Sequence, residues 1–352
     1  DGLLSDFTAS GDLETDLGRA AVRFNVKPSE QAATAFEGSL ETVDFETGRL
    51  LGSRKIGRVS LGADVTGVFG QTFGMQARAR IPKLEFNGYA YGDLALDGKF
   101  ENRKFTGNIA SADPNIAFDF NGDLDFSDSL PAYHFDLHLR NADLHKLNFN
   151  RRDSVSKIRC DLHAQASGTS LDNINGTVEI NGMTYINHID TVRTGNIRME
   201  ADNDSERKRL GFYSSFADAE LKGKLSYGDM FSYFTHTLRS YLPSMSVRER
   251  GTAPPAPLRG EAARIDSYYL LEVDVKEANN VAGIFLPGLQ LSQGTHLSFL
   301  FNPESDVFSL RLDSELIENE KFFVSDLKAS CRNQADSISL FVTAADVYVK
   351  GL

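Results

Sequence analysis

The sequence predicts an all-β protein, an elongated, curved β-sheet trough with a solenoid-like groove and one short amphipathic helix. Apolar and polar residues alternate along most of the chain, which is the period of a strand with one apolar and one polar face. Between Ile116 and Phe126, for example, Phe118, Phe120 and Leu124 fall on one face and Asp119, Asp123 and Asp125 on the other. Unbroken apolar runs are scarce, so we do not expect strands that are buried on both faces.

Glycines interrupt this alternation in two ways. Five dipeptides tolerate positive φ and predict turns that separate the strands: Asn87-Gly88, Asp97-Gly98, Asn121-Gly122, Asn175-Gly176 and Asn181-Gly182. A five-residue pattern, apolar-x-Gly-x-apolar, also recurs at 36–40, 96–100, 105–109, 120–124, 174–178 and 221–225. Its glycine shares a face with the apolar residues, so it either lets the strand bend or leaves room for another group. The irregular spacing argues against a propeller or a short-period β-helix.

One segment departs from the β pattern. Between residues 229 and 242 the apolar residues recur at three- and four-residue steps, which predicts an amphipathic helix within 227–243. Asp229 is its expected N-cap and Pro243 its end. A single arginine on the polar face favours packing against the protein's own apolar face over a membrane surface. The side chains expected to cap that face are Phe231, Phe234, Leu238 and Tyr241.

These features divide the chain into four parts. We predict a β-trough segment over 1–226, the helix over 227–243, a proline-rich loop over 244–260 and a continuation of the trough over 261–352. The strands of both β segments have the same alternating pattern, so the sequence does not require two independent domains. Cys160 and Cys331 lie on apolar-patterned strands and are interpreted as two buried thiols, with a bond between them as the alternative.

Charge and hydropathy limit the partners. The chain has 37 basic and 49 acidic residues, for a net charge of −12, so nucleic acid is not an expected partner. The same charge disfavours broad docking on anionic headgroups but not the binding of uncharged acyl chains. No run of about 18 apolar residues is present, and no signal peptide. Strand-like residues lie close to both ends, so we expect a piece of a longer protein, with the anchoring segment in another part of that protein.

The sequence carries no recognisable catalytic motif, so we expect neither catalytic residues nor a cofactor, and we predict that the protein is not an enzyme. His134, Asp136 and His138 share one strand face and could bind zinc with His145 or His163 as a third ligand. The alternative is a solvated polar face, and we predict no metal site.

Several segments together resemble TamB-type proteins of the AsmA-like superfamily, in the form seen in Bacteroidetes-like bacteria. The resemblance is carried, in order, by LEFNGYAYGDLALDG (84–98), SADPNIAFDFNG (111–122), PAYHF (131–135), NADLHKLNF (141–149) and GMTYI (182–186). The aromatic helix within 227–243 is part of the same resemblance. The resemblance covers most of the chain, but its motifs are degenerate β patterns.

The resemblance implies a periplasmic location within an envelope-spanning protein anchored in the inner membrane. It also implies one of two roles, movement of phospholipid to the outer membrane or assistance to an Omp85-type outer-membrane protein in assembly. This chain would be a middle segment. A lipid conduit and an assembly scaffold are therefore the competing hypotheses, and a carbohydrate-active or adhesive protein ranks last because tryptophan is absent.

A groove also follows from the strands themselves. About 20 strands spaced at about 4.8 Å make a sheet on the order of 100 Å long. Such a sheet must curl over its apolar face, and acyl chains would fill the space at about 0.8 kcal/mol per buried CH₂. The predicted lipid-groove residues are Phe118, Phe120, Leu124, Phe135, Leu137, Leu139, Ile158, Leu162, Val178, Ile180, Leu221, Leu225, Leu271, Val273, Phe299, Phe301, Leu310, Leu312, Leu340 and Val342.

Overall fold

The computed structural model describes residues 2–3, 6–28, 33–70, 73–204, 207–224, 226–241, 268–285, 288–334 and 337–349. The predicted loop over 244–260 and the groove candidate Leu225 lie outside the described residues. The side chains of Phe231, Leu238 and Tyr241 also lie outside them, although their backbone is helical.

The all-β fold is confirmed, as a large open antiparallel sheet with short helices. Contacts between residues divide the chain into two compact units. The first unit comprises Asp1–Gln165 and Ile180–Arg193, and the second comprises Ala166–Glu179 and Thr194–Leu352. The chain therefore changes unit within two strands, and each unit is described by itself.

The first unit is an antiparallel meander. Its strands are β1 Gly2–Leu3, β2 Asp6–Thr15, β3 Gly18–Lys27, β4 Thr34–Phe45, β5 Ile56–Phe69, β6 Gly74–Phe86, β7 Tyr89–Glu101, β8 Lys104–Asp113, β9 Ile116–Asp125, β10 Ala132–Asp143, most of β11 Ser156–Ser167, the second part of β12 Asn175–Asn187, and β13 Thr191–Arg193. Each strand from β1 to β9 pairs with the next one along the chain. Local pairing of this kind follows from the short connections.

The second unit repeats this organisation. Its strands are β14 Ile197–Asn203, β15 Lys208–Ser214, β16 Ala217–Gly223, β17 Tyr269–Val275, β18 Gln290–Leu291, β19 His296–Asn302, β20 Val307–Glu318, β21 Phe322–Gln334, β22 Ser337–Thr343 and β23 Asp346–Val349. Strands β14 to β17 pair in chain order, β17 then pairs with β19, and β19, β20 and β21 follow in order. Both β22 and β23 pair with β21.

The sequence predicted one helix, and the structure has a helix α2 at Met230–Tyr241, inside the predicted range. It also has two helices that were not predicted, α1 Thr47–Leu51 and α3 Asn279–Phe285. With 5 and 7 residues, these two are too short to show a helical stripe in the sequence. Among the described residues, no helix is long and apolar enough to span a membrane.

Only part of the turn prediction is correct. Asn87 and Gly88, with φ of 52° and 77°, do form the tight connection between β6 and β7. The prediction of turns is wrong at the other four dipeptides. Asp97-Gly98 lies inside β7, Asn121-Gly122 inside β9, and both Asn175-Gly176 and Asn181-Gly182 within β12.

Three glycines inside the strands make room for atoms of the neighbouring strand. Gly98, Gly107 and Gly122 lie directly opposite one another on β7, β8 and β9, and Gly122 is followed across the sheet by Phe135. A Cβ at Gly98 would overlap the ring of Phe105, and a Cβ at Gly122 would overlap Phe135. Of the two sequence interpretations, room for another group therefore applies here. The group is the ring of Phe105 at Gly98, and the backbone and Cβ of Phe135 at Gly122.

Candidate functional site

The second unit carries three parallel rows of side chains on one face of its sheet. Residues directly opposite each other on antiparallel strands share a face, so the register defines each row. The first row is Ala201, Leu210, Leu221, Leu271, Phe299, Leu310, Cys331 and Leu340. The second is Met199, Phe212, Ala219, Val273, Leu297, Leu312, Ala329 and Val342. The third is Asn203, Lys208, Gly223, Tyr269, Phe301 and Phe308.

Every described groove candidate between 221 and 342 lies in one of these rows. Burial of these candidates varies along the rows. Phe299 and Phe301 are buried, whereas most of the other candidates are half-buried. Leu340 and Val342, on β22, are exposed at 68% and 53%. The structure thus brings the predicted residues to one face and leaves those on β22 open to solvent.

An apolar pocket lies at the β14 end of the rows. Its volume is about 430 Å³, within the range of about 300–1,000 Å³ that is usual for small-molecule sites. The side chains around it are almost all aliphatic or aromatic. The lining residues are Ala166, Leu171, Ile174, Gly176, Val178, Met199, Glu200, Ala201, Leu210, Gly211, Phe212, Ala219, Leu221 and Leu271.

Small residues among the lining leave this space open. Gly176, Ala201 and Ala219 stand beside long side chains, so the sheet surface is recessed there. The one carboxylate of the lining, Glu200, is held by ion pairs of 2.7 Å to Arg198 and 3.5 Å to Arg209. The pocket therefore offers a ligand an apolar contact surface and few hydrogen-bond partners.

Sequence reasoning found part of this pocket. Val178, Leu221 and Leu271 were predicted and line it, whereas Leu171, Met199 and Leu210 were missed. The strands β14 and β15 have only 7 residues each, so their alternation is a weak signal. The available signal was the glycine pattern at 174–178, because Ile174, Gly176 and Val178 all line the pocket.

Helix α2 covers the apolar face farther along the rows. The ring of Phe234 packs edge-on against Phe299, Phe301 and Phe308, at centroid distances of 5.0, 5.6 and 5.8 Å. This geometry is the favourable arrangement of aromatic pairs. Phe234 was a predicted capping residue, and its contacts place the helix on the protein's own sheet.

A polar cluster closes the edge of the pocket next to Leu171. Asp172 accepts hydrogen bonds from Lys208 at 2.8 Å, from the Ser226 hydroxyl at 2.8 Å and from the Tyr227 amide at 2.7 Å. Burial by itself raises the pKa of Asp172, but these hydrogen bonds outweigh it, so the pKa lies below its usual value. Asp172 is therefore a fixed negative charge that holds the 168–174 loop to β15.

Two buried tyrosines lie beside this cluster. The Tyr269 hydroxyl donates to the carbonyl of Ser226 at 2.7 Å, and Tyr227 donates to the carbonyl of Leu221 at 3.2 Å. Burial raises the pKa of both hydroxyls well above the usual value, so both stay protonated donors. They act as structural supports of the apolar face.

The first unit also brings its predicted residues together. Phe118 lies opposite Leu139, Phe120 opposite Leu137, and Leu124 opposite Tyr133, so all share a face with Phe135. The rings of Phe120 and Phe135 lie 5.1 Å apart. The groove candidates of this unit are all half-buried: Phe118, Phe120, Leu124, Phe135, Leu137, Leu139, Ile158, Leu162 and Ile180.

Two of the four histidines considered as zinc ligands, His138 and His163, pair with carboxylates. His138 pairs with Asp161, and His163 lies 2.7 Å from Asp136, on the solvent-facing side of β10 and β11. The rings of His134 and His163 are 6.0 Å apart. Within the part of the chain that the structure describes, no group of three or more potential ligands is arranged to hold a metal ion.

No family model matches the chain, and no curated protein or solved structure matches it either. The relation to TamB-type proteins therefore stays a prediction from the sequence.

Proposed function

We propose that this chain is a periplasmic segment of a TamB/AsmA-like bridge between the membranes, which carries phospholipid along its apolar face toward the outer membrane. The observation that carries the proposal is the pocket of about 430 Å³ with an almost wholly apolar lining. The rows that extend from it across the strands of the second unit support movement of an acyl chain from one site to the next.

The energetics of burial favour this ligand class. Each CH₂ group transferred from water to an apolar surface contributes about 0.8 kcal/mol, and this contribution does not depend on exact placement. A chain of such groups can therefore bind firmly and still slide along a row of Leu, Val and Phe side chains. Binding and movement of an acyl chain along an apolar face require no catalytic group, which agrees with the expectation that the protein is not an enzyme.

Native mass spectrometry with lipid extraction, on the segment purified from bacterial membranes, tests the proposal. We expect stoichiometric phospholipid on the wild-type chain and its loss from the A219F variant, because the new ring would fill the pocket. The matched control is A217F, which adds the same ring on the same face two residues away, at a position outside the pocket lining. A stably folded wild-type segment that carries no lipid would overturn the proposal for this region.

A second candidate function is an assembly scaffold that pairs with an Omp85-type outer-membrane protein. It is favoured by the last two strands, where Phe341 and Tyr348 are exposed at 67% and 65%. Exposed apolar strands can add a partner strand through main-chain hydrogen bonds. A photo-crosslinking residue at position 348 should capture the Omp85-type protein if this candidate is correct, and a residue at exposed position 321 serves as the control.

A further inference from the structure

Two loops of the first unit lie side by side at the same end of its strands. The first loop, 46–55, contains α1 and connects β4 to β5, and the second loop, 144–155, connects β10 to β11. Both are hydrogen-bonded to the β6–β7 turn. The Asn87 amide donates to the Lys55 carbonyl at 2.8 Å, and the Asn148 side chain donates to the Asn87 carbonyl at 3.1 Å. The two loops therefore flank one turn.

Each loop exposes large apolar side chains. Leu50 and Leu51, on α1, are 64% and 63% exposed, and Phe149, in the second loop, is 60% exposed. Their burial on folding would have been favourable, yet the fold leaves all three in water. Large apolar side chains that are exposed together mark a surface that contacts another molecule or a membrane.

Basic side chains accompany these apolar residues. The two loops contain six basic and two acidic residues, in a chain whose net charge is −12. Both carboxylates have partners within the first unit, since Glu46 pairs with Arg49 at 3.0 Å and Asp153 accepts a hydrogen bond from Asn150 at 3.1 Å. Five cations are exposed, and their side chains have no ion pair or hydrogen bond among the described residues: Arg54, Lys55, Lys146, Arg151 and Arg152.

We propose that the two loops dock the chain on the anionic surface of a phospholipid bilayer. Leu50, Leu51 and Phe149 insert below the headgroups, and the five unpaired cations contact lipid phosphates. Apolar insertion and electrostatic attraction add in such an arrangement, because each lysine or arginine near an anionic surface strengthens binding about fivefold. The net charge of −12 opposes docking over the rest of the molecule, so the contact is confined to these loops. This surface does not involve the apolar pocket, so the inference goes beyond the proposed function.

Cosedimentation of the full chain with vesicles tests the charge requirement. Vesicles of phosphatidylcholine are compared with vesicles of an equal mixture of phosphatidylcholine and phosphatidylglycerol. We expect binding to the mixture to be tighter by about tenfold or more, and added salt should reduce this preference. R151Q/R152Q should weaken binding to the mixture about 25-fold, at about fivefold per charge. R23Q/R80Q removes two charges from exposed strand positions of the same unit and should leave binding nearly unchanged.

Insertion can be observed directly, because the chain contains no tryptophan. F149W introduces a single tryptophan into the second loop, and its emission should shift to the blue on the mixed vesicles and be quenched by nitroxide-labelled lipid. F73W is the matched control. Phe73 is 47% exposed and precedes β6, at the end of that strand opposite to the Asn87 turn, and no basic residue lies within 70–73. The emission of F73W should not change.

The outcomes are distinct. Equal binding to the two vesicle types, or equal losses in R151Q/R152Q and R23Q/R80Q, would overturn the docking surface. Vesicle binding without a spectral change in F149W would also overturn it, in favour of a purely electrostatic contact such as one with an acidic protein. A219F, which fills the apolar pocket, should bind vesicles as the wild type does, so failure of the proposed function and failure of this inference are distinguishable.

Discussion

Asp113, at the end of β8, is a carboxylate that the fold buries almost completely, with 3% of its surface exposed. It accepts hydrogen bonds from the Tyr89 hydroxyl at 2.7 Å, from the Gly92 amide at 2.8 Å and from the Asn115 amide at 2.7 Å. Burial by itself raises the pKa of Asp113, but these hydrogen bonds outweigh it and hold the pKa below its usual value. The residue thus ties the β8–β9 turn to β7.

Replacement of Asp113 by asparagine should lower the free energy of unfolding by about 1–3 kcal/mol, because a charged acceptor of several donors is lost. Chemical denaturation at neutral pH measures this change. D97N is the control, since the Asp97 side chain is 45% exposed and pairs at the surface with Arg78, so little change is expected. Equal losses in the two variants would contradict the role given to Asp113.

The same residue predicts a pH dependence. Since the pKa of Asp113 is lowered in the folded chain, its contribution to the free energy of unfolding is complete above the unfolded-state pKa of about 3.9. The contribution is lost as the pH falls through the folded-state pKa. The difference in stability between wild type and D113N should therefore be constant from neutral pH to about pH 5 and shrink below about pH 4. A difference that grows on acidification would contradict it.

Gly122 illustrates how space, rather than backbone conformation, can require glycine. A Cβ there would overlap the backbone and the Cβ of Phe135, so G122A should lower the free energy of unfolding by about 1–3 kcal/mol. Gly62, within β5, is the matched control, because a Cβ there meets no atom within 4 Å. G62A should be neutral or stabilising by about 0.5–1 kcal/mol. A loss in G62A as large as that in G122A would contradict this account.

At the scale of elements, the Phe234 ring packs helix α2 against the sheet, together with Met230 and Tyr233. F234A removes the ring that packs against Phe299, Phe301 and Phe308, and it should cost about 2–4 kcal/mol of local stability. Hydrogen exchange of the 230–241 amides measures this directly, with faster exchange expected in the variant. The control is H236A, because His236 is exposed on the same helix. Unchanged protection in F234A would show that the helix is held by other contacts.

The elements also show why some predictions succeeded and others did not. The period-2 alternation in β9 and β10 depends only on which face is buried, so it could be read from the sequence. The dipeptides Asp97-Gly98 and Asn121-Gly122 look like turns locally, yet both lie within strands. The ring of Phe105 requires a glycine at position 98, and the backbone and Cβ of Phe135 require one at position 122. The β7–β8 turn is instead made by Asn102 and Arg103, both with positive φ, and arginine is not a usual signal for that conformation.

At the scale of the whole molecule, a net charge of −12 opposes association of the chain with itself, while the exposed apolar side chains of β22 and β23 favour it. We expect weak self-association at moderate salt, where the charge is screened. F341K should lower the association constant at least several-fold, as measured by sedimentation velocity. S339K adds the same charge on the same face of β22 and should have a smaller effect. Equal effects would assign the change to net charge alone.

The sequence by itself determined the all-β class, the helix within 227–243 and the side chains that share the apolar face. The spacing of apolar residues along the chain reflects the local geometry of a strand or a helix, so it can be read without the tertiary structure. It could not determine the pocket. Val178, Leu221 and Leu271 were predicted, but their convergence with Leu171, Met199 and Leu210 depends on the register between β14, β15 and β16 and on the path of the 168–174 loop. Burial favours one face of each strand locally, whereas cavities arise only where several strands with small side chains are brought into register.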